Sequence, residues 1–159
     1  MVATVASDIR DAGLAQQGRG RIAWARRQMP VLSAIGAEFT RERPLAGMRI
    51  AAALHITSET AVLLQTLQAG GAEVALSASN PLSTRDDVCA ALAAAGMAVY
   101  ARHGEDLAEY QRHLEATLKT DPHLVMDDGA DLIVALHQRP PGGAVMASIE
   151  ETTTGVARV

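Results

Sequence analysis

Between Met48 and His137 the chain repeats one unit four times: a short apolar run, a polar turn and a helical stretch. The runs fall at 48–54, 73–77, 97–101 and 124–126, and the helical stretches at 57–70, 84–95, 105–118 and 130–137. Short apolar runs bounded by turn residues suit strands buried on both faces. Alternation with helices then implies parallel pairing, so the expected fold is α/β: a Rossmann-like parallel sheet with helices on both faces. Gly70-Gly71 offers an easy left-handed cap to the first helix, and Gly96 stops the second. Thr84, followed three residues later by Asp87, reads as the N-cap of that second helix in a variant of the capping box.

Upstream the pattern is helical. Ile22, Trp24, Ala25, Met29, Val31, Leu32, Ile35 and Phe39 recur mostly at three- and four-residue spacings. Pro30 interrupts them and is expected to start a second helix, because proline is tolerated in a first turn and not in an interior. Pro44-Leu45-Ala46-Gly47 then breaks the pattern. The expected organisation is a helical segment over 1–46 and an α/β domain over 47–159.

Length and charge narrow the function. The chain has 159 residues, 14 Lys and Arg against 18 Asp and Glu, and a net charge of −4, as suits one ordinary soluble domain. With aromatic residues at 3% and no basic block, it lacks both the stacking platform and the electrostatic footprint of a nucleic-acid binder. The single cysteine, Cys89, has no internal partner, and no Cys and His cluster has metal-ligand spacing, so no metal is expected and a reducing interior is the simplest compartment. No positively charged, apolar leader opens the chain, and no stretch reaches the roughly 18 apolar residues of a membrane span. A cytoplasmic protein without membrane or nucleic-acid partners is expected.

In such a sheet ligands sit at the carboxyl ends of the strands, in the loops leading to the helices. His55, Thr57 and Glu59 follow the first strand and would suit a polar, purine-like ligand. Thr57 also reads as an N-cap, Glu59 as a carboxylate favoured by the helix dipole, and His55 as a hydrogen-bonded structural residue. Asp127, Asp128 and Asp131 crowd the end of another strand, where mutual repulsion should raise at least one pKa. N-capping by Asp128 accounts for part of that cluster; a Mg²⁺ site is conceivable, but no P-loop accompanies it. Near the end, Glu150 and Glu151 abut Thr152, Thr153, Thr154 and Gly155, and three threonines in a row favour an extended backbone. A polar linker is the plainer reading of that segment.

The segments LHITSETAVLLQTL, ASNPLSTRDDV and MDDGADL followed by EETTTGV, together with GLAQQGRGRIAWARRQMPVL, resemble the adenosylhomocysteinases in sequence, order and spacing. Those enzymes reversibly cleave S-adenosyl-L-homocysteine to adenosine and L-homocysteine in methyl-cycle metabolism. The resemblance runs from about Asp8 to the last residue. It implies that this stretch is the substrate-binding portion, with NAD held mainly by a Rossmann domain that follows it. No GxGxxG fingerprint is present here, since Gly18-Arg19-Gly20 lies inside a helical pattern. The family's later lysine, aspartate and second catalytic histidine are also outside the sequence. The chain is therefore expected to be a fragment or truncated product, inactive alone, and a homo-oligomer only in a full-length form.

Carried over residue by residue, the resemblance assigns Thr57 and Glu59 to the adenine end and His55 to the ribose 5′ region, where the thiol leaves. Asp128 matches an aspartate implicated in proton transfer, Glu151 a glutamate on the ribose hydroxyls, and Thr152, Thr153 and Thr154 threonines that reach NAD; Asp131 is a supporting carboxylate. The chemistry implied is oxidation of the ribose 3′ hydroxyl, loss of the acidified 4′ hydrogen, departure of homocysteine, addition of water and reduction of the ketone. Orientation and proton transfer fall to the protein. Two departures from the family stand out: Ile149 replaces a small polar residue, and Ala101-Arg102-His103 replaces a stretch with an aromatic residue or lysine. The alternatives are a free-standing, non-catalytic nucleoside-binding module or a remnant without ligand.

Overall fold

The computed structural model describes residues 6–140 and 143–159. Six parallel strands form one sheet: β1 (Asp8–Ile9), β2 (Arg49–Leu54), β3 (Glu73–Ala78), β4 (Ala98–Ala101), β5 (Leu124–Asp127) and β6 (Ala147–Glu150). Their order is β1-β4-β3-β2-β5-β6. The helices are α1 (Ala15–Arg27), α2 (Pro30–Glu42), α3 (Ser58–Ala69), α4 (Asp86–Ala94), α5 (Leu107–Leu118), α6 (Asp131–His137) and a short α7 (Thr153–Val156). The α/β expectation holds. Among the described residues no helix is long and apolar enough to cross a membrane.

The central strand shows why the sheet is sandwiched. Side chains alternate across a strand; Ile50, Ala52 and Leu54 of β2 join a core with α1, α3 and α4, while Ala51 and Ala53 join a second core with Tyr110, Leu114, Leu132 and Ile133 of α5 and α6. Both faces of β2 are thus apolar, which is why its sequence reads as an unbroken run. Pro30 opens α2 as expected, in the first helical turn where its missing N–H costs nothing. α1 rests on α4 so closely that a Cβ on Gly18 would lie 1.8 Å from the Asp87 carbonyl oxygen.

Several local expectations are corrected. α4 starts at Asp86 with Arg85 as N-cap and no side-chain cap, because the preceding chain folds into a 3₁₀ turn, Pro81–Ser83, capped by Asn80. Thr84 instead donates its hydroxyl to the Asn80 carbonyl, 3.3 Å away. The left-handed cap expected at Gly70-Gly71 does form, at Gly71 with φ of 98°, while Gly70 stays right-handed. Only the first of the three threonines is extended: Thr152, with φ of −110° and ψ of 146°, caps α7, while Thr153 and Thr154 form its first turn.

Both outer strands escaped the sequence pattern. β1 pairs Asp8 with Tyr100 and Ile9 with Ala101, and an ionic cluster anchors it: Asp8 meets Arg102 through Oδ1 and His113 Nε2 through Oδ2, the latter at 3.3 Å, while His113 Nδ1 lies 2.6 Å from buried Glu105. Among the described residues β6 pairs only with β5, and it is mostly exposed.

Candidate functional site

The order of strands reverses between β2 and β5. From β2 the chain winds outward through β3 and β4, then crosses back to β5 on the other side of β2. Consequently α3, which follows β2, packs on one face, and α6, which follows β5, on the other. Their leading loops diverge at the carboxyl ends, and such a switch point is where open α/β sheets bind ligands.

His55 and Asp128 occupy those two loops. His55 Nε2 lies 3.2 Å from Asp128 Oδ2, with the imidazole half exposed and the carboxylate mostly covered. Ser79, at the end of β3, donates to Asp128 Oδ2 at 3.3 Å and sits 3.3 Å from His55 Nδ1; Ser83 also contacts Nδ1. The Asp128 amide donates to the Ala53 carbonyl at 3.0 Å, which fixes the aspartate to the end of β2.

Thr57 is the N-cap of α3, accepting from the Thr60 amide at 3.2 Å. Glu59 lies in the first turn and accepts from the Ser58 hydroxyl at 3.0 Å. Its own backbone N–H, with the Ser58 and Thr57 hydroxyls, holds the carboxyl below the usual glutamate range against a small desolvation effect. Glu59 makes its hydrogen bonds within this turn rather than with the His55–Asp128 pair.

The acidic cluster divides its labour differently from the expectation. Asp127, not Asp128, braces the start of α6: its oxygens accept from the Asp128 amide at 2.9 Å and the Ile133 amide at 2.8 Å. Ala130, with φ of 69°, is the N-cap and offers no side-chain cap. Burial pushes the Asp127 carboxyl up to about 6, the Glu150 charge adds to this, and the amide donors hold it back. The cause is therefore desolvation first, not repulsion within the triplet. Asp131 accepts from Tyr110 at 3.0 Å and from Arg158 at 2.7 Å.

β6 brings the second acidic pair to the same end of the sheet. The Glu151 amide donates to the Asp127 carbonyl at 2.9 Å, and the Glu151 side chain is exposed. Glu150 points its Oε1 at Gly129 and Thr152. Thr152 spends its hydroxyl on Glu150 and on the Gly155 amide, whereas Thr153 and Thr154 are exposed, leaving hydroxyls for a ligand.

The structure thus joins His55 to Asp128 directly and sets Glu151 and the threonines on the adjoining strand end. An open cavity of about 580 Å³ near the ends of β2 to β4 includes Thr57, Ser83 and His103 in its lining, but not His55, Glu59, Asp128 or Glu151. Ser79, Ser83, Tyr110 and Arg158 were not singled out by sequence, and Glu150 was noted only as the neighbour of Glu151; the two serines had one signal, their place in a loop at a strand's carboxyl end. Among the described residues, Asp8, Glu109 and His113 offer atoms within 4.8 Å of one another that could hold a metal. The Arg102 guanidinium already bridges those two carboxylates.

The family model described as S-adenosyl-L-homocysteine hydrolase matches residues 6–153. An adenosylhomocysteinase of Aquifex aeolicus is 52% identical over 155 residues, which are 96% of this chain and 37% of that protein. An adenosylhomocysteinase of Sulfolobus acidocaldarius is 50% identical over 151 residues, 95% of this chain and 36% of that protein. An S-inosyl-L-homocysteine hydrolase of Methanopyrus kandleri is 50% identical over 153 residues, again 95% and 36%. The chain spans little more than a third of the length of these relatives.

Proposed function

Because the chain belongs to the S-adenosyl-L-homocysteine hydrolase family, we propose that it forms the substrate-binding part of an enzyme that reversibly hydrolyses S-adenosyl-L-homocysteine to adenosine and L-homocysteine. The observation that carries this reading is the contact between His55 and Asp128 at the sheet's switch point, 3.2 Å apart. An imidazole held by a carboxylate is suited to move a proton, and half of it faces solvent where a ligand can meet it. In this reading His55 serves the 5′ side, where a thiolate leaving group takes up a proton. Asp128 orients the imidazole and takes part in proton transfer.

The other residues bind. Thr57 and Glu59 face the purine, with the ionised Glu59 carboxylate accepting from a ring amino group. Glu151, exposed at the end of β6, accepts from ribose hydroxyls. NAD, when bound, would supply the removal and return of hydride at the ribose 3′ carbon. The exposed hydroxyls of Thr153 and Thr154 fit a role as its contacts, while the Thr152 hydroxyl is committed to capping. The reaction places the protein in methyl-cycle metabolism, in the reducing cytoplasm.

Calorimetric titration of the chain with adenosine and with S-adenosyl-L-homocysteine tests the reading. Saturable binding is expected, weakened by Asp128→Ala and by His55→Ala. Unchanged affinity in both variants would reject the site.

A further inference from the structure

Glu150 stands opposite Asp127 in the parallel register of β5 and β6. Its Oε1 accepts from three donors: the Gly129 amide at 2.9 Å, the Thr152 amide at 2.8 Å and the Thr152 hydroxyl at 2.7 Å. The donors belong to two segments. Gly129 lies in the loop that carries Asp128, and Thr152 opens the turn that follows Glu151 and leads to Thr153 and Thr154.

The turn closes tightly on this carboxylate. A Cβ on Gly155 would lie 2.1 Å from Glu150 Oε1, so only glycine lets the first turn of α7 approach so near. Oε2 is buried and has no partner among the described residues. An unsatisfied buried acceptor is unfavourable, a cost that the donors gathered on Oε1 offset. Burial alone would raise the carboxyl, and the Gly129 and Thr152 donors outweigh it, leaving the group below the usual glutamate range. Arg158 adds a clasp across the same loop through the Gly129 carbonyl and Asp131.

We propose that Glu150 is a positioning residue: its carboxylate locks the Asp128 loop to the Glu151–Thr154 turn, so that the two segments meet a ribose as one preset unit. This deepens, and rests on, the substrate-binding reading above. The 2′ and 3′ hydroxyls of a ribose are neighbours at fixed spacing. Acceptors on two independently mobile loops would each have to be ordered on binding, whereas a preset pair avoids that loss. Glu150 itself need not touch the ligand. Its reach is specific: an aspartate here is one methylene shorter than the span to Gly129 requires, while glutamine keeps an acceptor oxygen for all three donors.

The test combines amide hydrogen exchange, read by NMR, with adenosine titration of the same samples. Glu150→Ala is expected to raise exchange at Gly129 and Thr152 by about tenfold or more, as loss of hydrogen bonds to a charged acceptor implies. Exchange at Ala52 and Leu76 in the central strands should stay as it was. The adenosine Kd should rise about tenfold in Glu150→Ala and in Glu150→Asp, and return to within about threefold in Glu150→Gln. Unchanged exchange at Gly129 overturns the proposal, as does a loss of protection spread equally over the central strands. Should adenosine bind the parent chain and Glu150→Ala leave its affinity intact, the positioning role fails and the substrate reading survives. If the parent chain binds no adenosine, the substrate reading fails, and with it the ligand role of this coupling.

Discussion

His55 and Asp128 touch, Nε2 to Oδ2 at 3.2 Å, although the chain runs through three strands and three α-helices between them. They meet because β2 and β5 are neighbours while the helices that follow them leave for opposite faces of the sheet. Residues in contact are not energetically independent. In a double-mutant cycle on adenosine affinity, His55→Ala and Asp128→Ala should each weaken binding about tenfold, with a coupling of about 1 kcal/mol. The double variant should therefore lose less than the product of the single losses. Strict additivity, measured by calorimetry, would show that the pair does not act on the ligand together.

The purine contact proposed for Glu59 predicts a preference between bases. The Glu59 carboxyl is held below the usual range by its own backbone N–H and the Ser58 and Thr57 hydroxyls, so at neutral pH it is an acceptor only. The 6-amino group of adenine can donate to it; the 6-oxo group of hypoxanthine presents a second acceptor. Adenosine is expected to bind about tenfold or more tightly than inosine, since mismatching a polar group is strongly discriminating. Glu59→Gln, which can donate as well as accept, should narrow that ratio. Competition between the two nucleosides checks this, and equal affinity for both would remove Glu59 from base recognition.

The strands that were legible in sequence, β2 to β5, are those buried on both faces, because an apolar run such as Ile50 to Leu54 has no other stable home. β1 and β6 were not. β1 is two residues long and held by Asp8 side-chain bonds to Arg102 and His113, while β6 exposes Ala147, Ser148 and Ile149. Neither carries an apolar period to read. For the site, His55 and Asp128 were visible as polar residues at strand ends, but their contact depends on strand order, which periodicity does not encode. The division of labour within each acidic pair was hidden too. Asp127 and Glu150 turn to backbone amides, leaving Asp128 to His55 and Ser79 and Glu151 exposed, in a register where Asp127 faces Glu150.

The cluster that anchors β1 gives the fold a pH signature. Burial would lower the His113 pKa, but hydrogen bonds and charge from Glu105 and Asp8 raise it above the usual value. A group with a raised folded-state pKa contributes stability that is full below its unfolded value of roughly 6.5 and is lost as pH rises through the folded value. For Asp8 burial acts upward, yet His113 and Arg102 lower the carboxyl, so its contribution is present at neutral pH and lost only in acid. Stability measured by urea unfolding should thus fall as pH rises above about 6.5. His113→Gln should flatten that decline. A profile with the same slope in both proteins would contradict the assignment.

Gly18 and Gly20 make a paired test of the α1–α4 interface. Both lie in α1, where alanine is intrinsically favoured over glycine by about 1 kcal/mol. At Gly20 a Cβ would meet nothing within 4 Å, so Gly20→Ala should raise stability by about that amount. At Gly18 the Cβ would lie 1.8 Å from the Asp87 carbonyl oxygen and 2.9 Å from Ala91 Cβ. Backbone cannot step aside without lifting α1 from α4, and the shift would strain the ion pair between Arg21 and Asp87 that spans the same contact. Overpacking of this kind should override the helical gain and leave Gly18→Ala about 2–3 kcal/mol less stable in denaturant titrations. If both substitutions stabilised the chain, α1 would not sit on α4 at the distance described.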